Sequence, residues 1–138
     1  IVNKFNIVNT FNFVHLIGWI MYMPGKVFEI TDKEKFARFI EENRFFVVKF
    51  TADWCGPCRR AEPIINREFL KMPDDVHLIY VNVDRGSTIA SKFRVKTIPT
   101  FINIIDKNAY EIYPSSKEND IVSFFNITKQ RVAEAKRQ

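Results

Sequence analysis

Residues 27–132 alternate between short apolar runs with a two-residue or continuous pattern and longer stretches with helical spacing. Val27-Phe28-Glu29-Ile30 reads as a short strand. Thr31-Asp32-Lys33-Glu34 fits a capping box, with Thr31 as N-cap and Glu34 reaching back. Phe36, Phe39 and Ile40 follow at helical spacing, so a helix is expected to run to about Asn43. Phe45 to Ala52 is a near-continuous run of aromatic and β-branched residues, the pattern of a central strand covered on both faces. A helix is expected from the pair Cys55 and Cys58 through Ile64, Ile65, Phe69 and Leu70, with Pro63 inside it as a kink. Val76 to Asp84 is a second buried-strand pattern, and Ser87 to Phe93 a short helix. Thr100 to Ile105 reads as a strand, Asp106-Lys107-Asn108 as a tight turn, and Tyr110 to Tyr113 as the returning strand. From Glu118 onward, Ile121, Phe124, Phe125, Ile127 and Val132 supply the apolar face of a last helix. The order β-α-β-α-β-α-β-β-α implies an α/β domain: a central mixed β-sheet flanked by helices on both faces.

Residues 1–23 precede this pattern. They carry Asn at 3, 6, 9 and 12, then an uncharged apolar stretch from Phe13 to Met23. That stretch has the length of a signal-peptide core and follows one basic residue, Lys4, but Tyr22-Met23-Pro24-Gly25 offers no small-x-small cleavage site. Met21 and Met23 stand just before the domain and are alternative starts. Three readings stay open for this segment: an upstream extension foreign to the native protein, a leader or anchor, and an extra ordered element. The chain is divided accordingly into an N-terminal extension, 1–23, and one domain, 24–138, with an extended C-terminal helix.

The length of 138 residues suits one domain. No run of eighteen apolar residues exists, so no ordinary membrane span is expected. The net charge of +5 is spread along the chain among acidic residues, the pattern of a mixed solvated surface and not of a nucleic-acid site. The charge would favour acidic protein partners on encounter.

Cysteine usage narrows the chemistry. Cys55 and Cys58 are the only two, which leaves none for a structural disulfide. With His15 and His77 the only histidines, a four-ligand zinc site is not expected. A strand running into Cys55 and a helix leaving from it put Cys55 at a helix N-terminus, where free N–H groups and the helix dipole favour a thiolate. The thiolate is the reactive form, so Cys55 is expected to be the exposed, low-pKa thiol. Arg59 and Arg60 would add positive potential. Cys58, one turn further in, is placed to be the buried resolving thiol.

The motif Trp54-Cys55-Gly56-Pro57-Cys58 resembles the active site of the thioredoxin family. The resemblance extends to Pro63, eight residues after Cys55, and to Thr97-Ile98-Pro99-Thr100, which is similar to the family's cis-proline loop. It covers roughly residues 27 to 130 and implies a thioredoxin fold. It implies that Cys55 attacks a target disulfide and that Cys58 resolves the mixed disulfide. It assigns Trp54, Gly56, Pro57, Thr97, Ile98 and Pro99 to the surface that docks the target. By resemblance the chain is a protein-disulfide reductase with no bound cofactor. Its electrons would come from an NADPH-dependent flavoprotein thioredoxin reductase. It would be a monomer acting on disulfide-containing proteins, with the cytoplasm as its expected location unless residues 1–23 are a leader.

The sequence departs from the family pattern at two buried positions. Thioredoxins usually carry a buried Asp six residues before the first cysteine, and this chain has Lys49 there; the acid's usual lysine partner falls at Tyr80. Lys49 has three readings: a stem that snorkels its charge to solvent, a desolvated proton acceptor with lowered pKa, or a thiolate stabiliser that makes the protein more oxidising. Pro114-Ser115-Ser116 replaces a docking-loop glycine, and His77 is read as a surface or edge residue. Two rivals to the reductase follow, an oxidase or isomerase and a thioredoxin-fold interaction module of a larger assembly.

Overall fold

The computed structural model describes residues 25–138; the readings of residues 1–24 fall outside the described residues. Nine elements follow in the predicted order: β1 (Val27–Glu29), α1 (Lys33–Glu42), β2 (Phe45–Thr51), α2 (Gly56–Phe69), β3 (Val76–Asn82), α3 (Ser87–Lys92), β4 (Thr100–Ile105), β5 (Asn108–Tyr113) and α4 (Glu118–Lys136). The strands form one mixed sheet in the order β1-β3-β2-β4-β5. β3 runs parallel to β1 and β2, while β4 is antiparallel to β2 and β5.

Strand alternation sorts the core into two layers. Phe45 and Val47 of β2 join Leu78 and Tyr80 of β3 under Ala61, Ile65 and Phe69 of α2 and Ile121, Phe124 and Phe125 of α4. Phe46, Val48 and Phe50 face the other way, with Ile79 and Val81, against Phe36 of α1 and Ile89 of α3. The same alternation places Lys49 on the α2 side of the sheet. Pro63 lies inside α2 as expected, where it removes one backbone donor.

Three local readings are corrected. The N-cap of α1 is Asp32, not Thr31: its carboxylate accepts from the Glu34 amide at 2.8 Å. The Ile30 amide still bonds the Tyr80 carbonyl at 3.0 Å, which prolongs the β1 pairing and delays the helix. The returning strand β5 starts at Asn108, because Asp106 and Lys107 both take positive φ, 49° and 71°, and close a two-residue hairpin turn. His77 is not on an edge strand, since β3 lies inside the sheet, and it is only partly exposed. Its ring is half-buried between Phe28 and Phe39, and its Nδ1 accepts from the Lys26 amide at 3.1 Å.

Candidate active site

The site sits where β2 ends and α2 begins. Cys55 is the N-cap of α2 with extended backbone, and its Sγ accepts from the Cys58 amide at 3.2 Å. A free helix-end N–H therefore points at the sulfur, as the helix-start argument requires. Cys55 and Cys58 are joined in a disulfide with their Cα atoms 5.3 Å apart, so the structure shows the oxidised form. In this form Cys55 is only 3% exposed and Cys58 1%, so the expectation of an exposed Cys55 does not describe the oxidised state. Ala52, Val83 and Ile98 pack around the pair.

The docking residues assemble from two stretches of the chain, 54–57 and 97–99. Trp54 stands out at 67% exposure, its indole N–H donating to Asp84 at 2.9 Å. Gly56 and Pro57 form the first turn of α2 and are half-buried. A Cβ on Gly56 would come within 3.2 Å of the guanidinium of the exposed Arg60 side chain and meet nothing else close by. Ile98–Pro99 is a cis peptide, and the Ile98 carbonyl lies 3.9 Å from Cys55 Sγ. Thr97 is exposed, and its carbonyl accepts from the Thr100 hydroxyl at 2.6 Å. Sequence reasoning missed the support beneath this surface. Buried Asn82 accepts from the Asp84 and Arg85 amides at 2.9 and 3.1 Å and donates to Asp53 at 3.2 Å. It thereby fixes the loop whose Asp84 orients Trp54. A lone Asn at a strand end carries no sequence signal for that role.

Beneath the cysteines lies a polar cluster. Lys49 is fully buried and does not snorkel. Its Nζ donates to the Cys58 carbonyl at 2.9 Å and to the Glu62 carboxylate. Tyr80, from β3, donates its hydroxyl to the other Glu62 oxygen at 2.8 Å, and Lys49 Nζ lies 5.3 Å from the Tyr80 ring centroid. Burial lowers the Lys49 pKa from its ordinary value, and the bond and charge of Glu62 oppose that shift. Burial and the Glu62 charge push the Tyr80 phenol far up, so it stays a donor. The two family positions that looked vacated, 49 and 80, are thus joined by a third residue from α2. Glu62 was legible only as the residue four after Cys58, hence on the same helix face.

A family model described as Thioredoxin matches residues 26–127, most of the chain. This chain belongs to the thioredoxin family. It is 33% identical over 105 residues to Thioredoxin H3 of Arabidopsis thaliana, covering 76% of this chain and 86% of that protein. It is 36% identical over 90 residues to Thioredoxin H-type 1 of Nicotiana tabacum, covering 64% and 69%. Among solved structures, the thioredoxin NaTrxh of Nicotiana alata superposes with a TM-score of 0.68 at 27% identity, over 77% of this chain and 95% of that one. Fasciola hepatica thioredoxin gives 0.67 at 28% identity, over 73% and 98%. With the Cys55–Cys58 pair in place, this thioredoxin is a thiol–disulfide oxidoreductase that reduces protein disulfides. Neither the oxidase or isomerase reading nor the interaction-module reading gains support from these likenesses. Thioredoxins need no bound cofactor. Among the described residues no helix is long and apolar enough to cross a membrane.

Proposed function

We propose that Cys55 is the nucleophile and Cys58 the resolving thiol of the reductase cycle. The observation that carries this is the N-cap position of Cys55, whose sulfur accepts the Cys58 amide while Cys58 lies one turn deeper. A thiolate at Cys55 would be stabilised by that N–H and by the helix dipole. In the cycle, the Cys55 thiolate attacks one sulfur of the target disulfide, forming a Cys55–target bond and releasing the other target sulfur as a thiolate. Cys58, once deprotonated, attacks Cys55 Sγ; the Cys55–target bond breaks and the electron pair leaves with the target sulfur, which takes up a proton. The target gains two electrons and the enzyme is left as the Cys55–Cys58 disulfide.

Trp54, Gly56, Pro57, Thr97 and Ile98 form the docking surface in this reading, with Pro99, which is buried, next in the same loop. Trp54 offers an exposed apolar face, and the Ile98 carbonyl, 3.9 Å from Cys55 Sγ, would pair with an extended target backbone. An NADPH-dependent flavoprotein thioredoxin reductase returns the electrons. Supporting this, the chain is 32% identical over 78 residues to the Bifunctional thioredoxin reductase/thioredoxin of Mycobacterium leprae, covering 56% of this chain and 17% of that protein. The cysteine use permits a cytoplasmic home, and a secretory or organellar one stays open if residues 1–23 are a leader. A monomer acting on proteins, with no nucleic-acid partner, completes the proposal.

Trapping tests the assignment. In Cys58→Ser the mixed disulfide at Cys55 has no internal thiol to resolve it, so target proteins accumulate as covalent adducts. Adducts no more abundant than with Cys55→Ser overturn the assignment of roles.

A further inference from the structure

The resolving step needs Cys58 as a thiolate, yet Cys58 is 1% exposed. That burial belongs to the oxidised form, and a Cys58 held as deep in the mixed disulfide would lose its proton through protein groups. The carboxylates on the outer side of the site serve the surface loops: Asp53 accepts from Arg85 at 3.0 Å and from Asn82, and Asp84 accepts from the Trp54 indole. On the inner side, Glu62 is the carboxylate tied to Cys58 through Lys49. It lies four residues after Cys58 on α2, and the Lys49 ammonium bonds both it and the carbonyl of Cys58. The pair also bridges interior and exterior: the Lys49 side chain is fully buried, while that of Glu62 is 38% exposed. Tyr80 holds the remaining carboxylate oxygen and fixes its direction.

We infer that the Lys49–Glu62 pair accepts the Cys58 thiol proton in the resolving step, with Glu62 passing it to solvent and Tyr80 acting as a positioning residue. The inference rests on the proposal that Cys58 resolves the mixed disulfide. The step balances. The S–H bond of Cys58 breaks, the ammonium–carboxylate pair becomes ammonium and carboxylic acid, and the Cys58 electron pair forms the new bond to Cys55 Sγ. The Cys55–target bond gives its electron pair to the departing target sulfur. Glu62 then releases its proton at its exposed edge. Attack by Cys55 on a fresh target, the earlier step, does not use the pair.

The two steps can be timed separately in the full-length reduced protein by acid quench and alkylation, which count free thiols and the Cys55–target adduct. Glu62→Gln keeps the shape and removes the base. The expected result is resolution slowed about 10- to 100-fold with adduct formation changed less than about twofold, since a positioned acid or base contributes factors of this order or more. Glu62→Asp, which keeps a carboxylate, recovers a substantial part of the resolving rate, and Lys49→Met reproduces the selective loss. Resolution within twofold of the parent in Glu62→Gln overturns the inference while leaving the roles of Cys55 and Cys58 intact. Equal slowing of both steps, with no recovery in Glu62→Asp, also overturns it, because that is the mark of a merely structural pair. Failure of Cys58→Ser to accumulate adducts is a separate result and strikes the proposed roles instead.

Discussion

Replacing Glu62 by Gln leaves the buried Lys49 ammonium beside Cys58 without its counter-charge, and the reduction potential registers the change. In the parent Lys49 and Glu62 form an ion pair, so their opposite charges oppose each other at the sulfurs. Lys49 Nζ is 2.9 Å from the Cys58 carbonyl oxygen. For unit charges about 6 Å apart at an effective dielectric near 20, the attraction of an uncompensated ammonium for a thiolate is about 3 kcal/mol. Because Glu62 is partly exposed and water replaces some of its field, about half of that is a realistic net gain for the thiolate. A gain of about 1.5 kcal/mol in the reduced form raises the two-electron potential by about 30 mV. Lys49→Met has the opposite sign, since an unbalanced carboxylate disfavours thiolates. Its shift is smaller, because a thiol escapes the repulsion by keeping its proton. Equilibration of both variants and the parent against glutathione redox buffers, read by thiol alkylation, gives the potentials. Shifts of the same sign in the two variants, or none above about 10 mV in Glu62→Gln, refute the idea that the two charges balance each other at the sulfurs.

Three further outcomes follow from the packing and electrostatics. Burial and the nearby Lys26 charge lower the His77 pKa from its ordinary value, so the folded state favours the neutral ring. The unfolded chain then binds more protons below about pH 6.5, and stability falls as pH drops from there through the folded-state pKa; urea titrations between pH 7.5 and 5 should show this decline, and His77→Asn should flatten it. Phe124 is fully buried against Phe101, Tyr113 and Phe125, so Phe124→Ala should cost about 3–5 kcal/mol in urea unfolding without a matching loss of site chemistry in the folded fraction. Lys107 holds φ at 71° in the hairpin turn, so Lys107→Gly should raise stability by up to about 1 kcal/mol, less the small loss of its exposed pair with Glu41.

What the sequence disclosed, and what it hid, follows from how local each signal is. The apolar runs at Phe45 to Ala52 and Val76 to Asp84 announced the central strands, because a strand covered on both faces has no polar alternation to obscure it. The cysteine pair was legible because its meaning depends on adjacent elements, a strand before and a helix after. The Lys49 partner was not, because it comes from another element. Strand alternation gives the face on which Lys49 lies, but only the packing of α2 on that face shows that Glu62 meets it. The register break between Ile102 and Ile104 is of the same kind. Asn103 sits at the break and bonds Glu111 and Thr128 through its side chain, a tertiary arrangement with no periodic trace. The cap of α1 moved from Thr31 to Asp32 because a sheet hydrogen bond at Ile30 competed with a purely local rule.

Reduction of insulin by the full chain with NADPH and a flavoprotein thioredoxin reductase, and in parallel with dithiothreitol as the electron source, tests the central claim most directly. Catalytic turnover with dithiothreitol is expected, abolished by Cys55→Ser and by Cys58→Ser, with NADPH oxidation coupled to it when a matching reductase is present. Insulin reduction by the parent no faster than by dithiothreitol alone, or undiminished in Cys55→Ser, would contradict that claim.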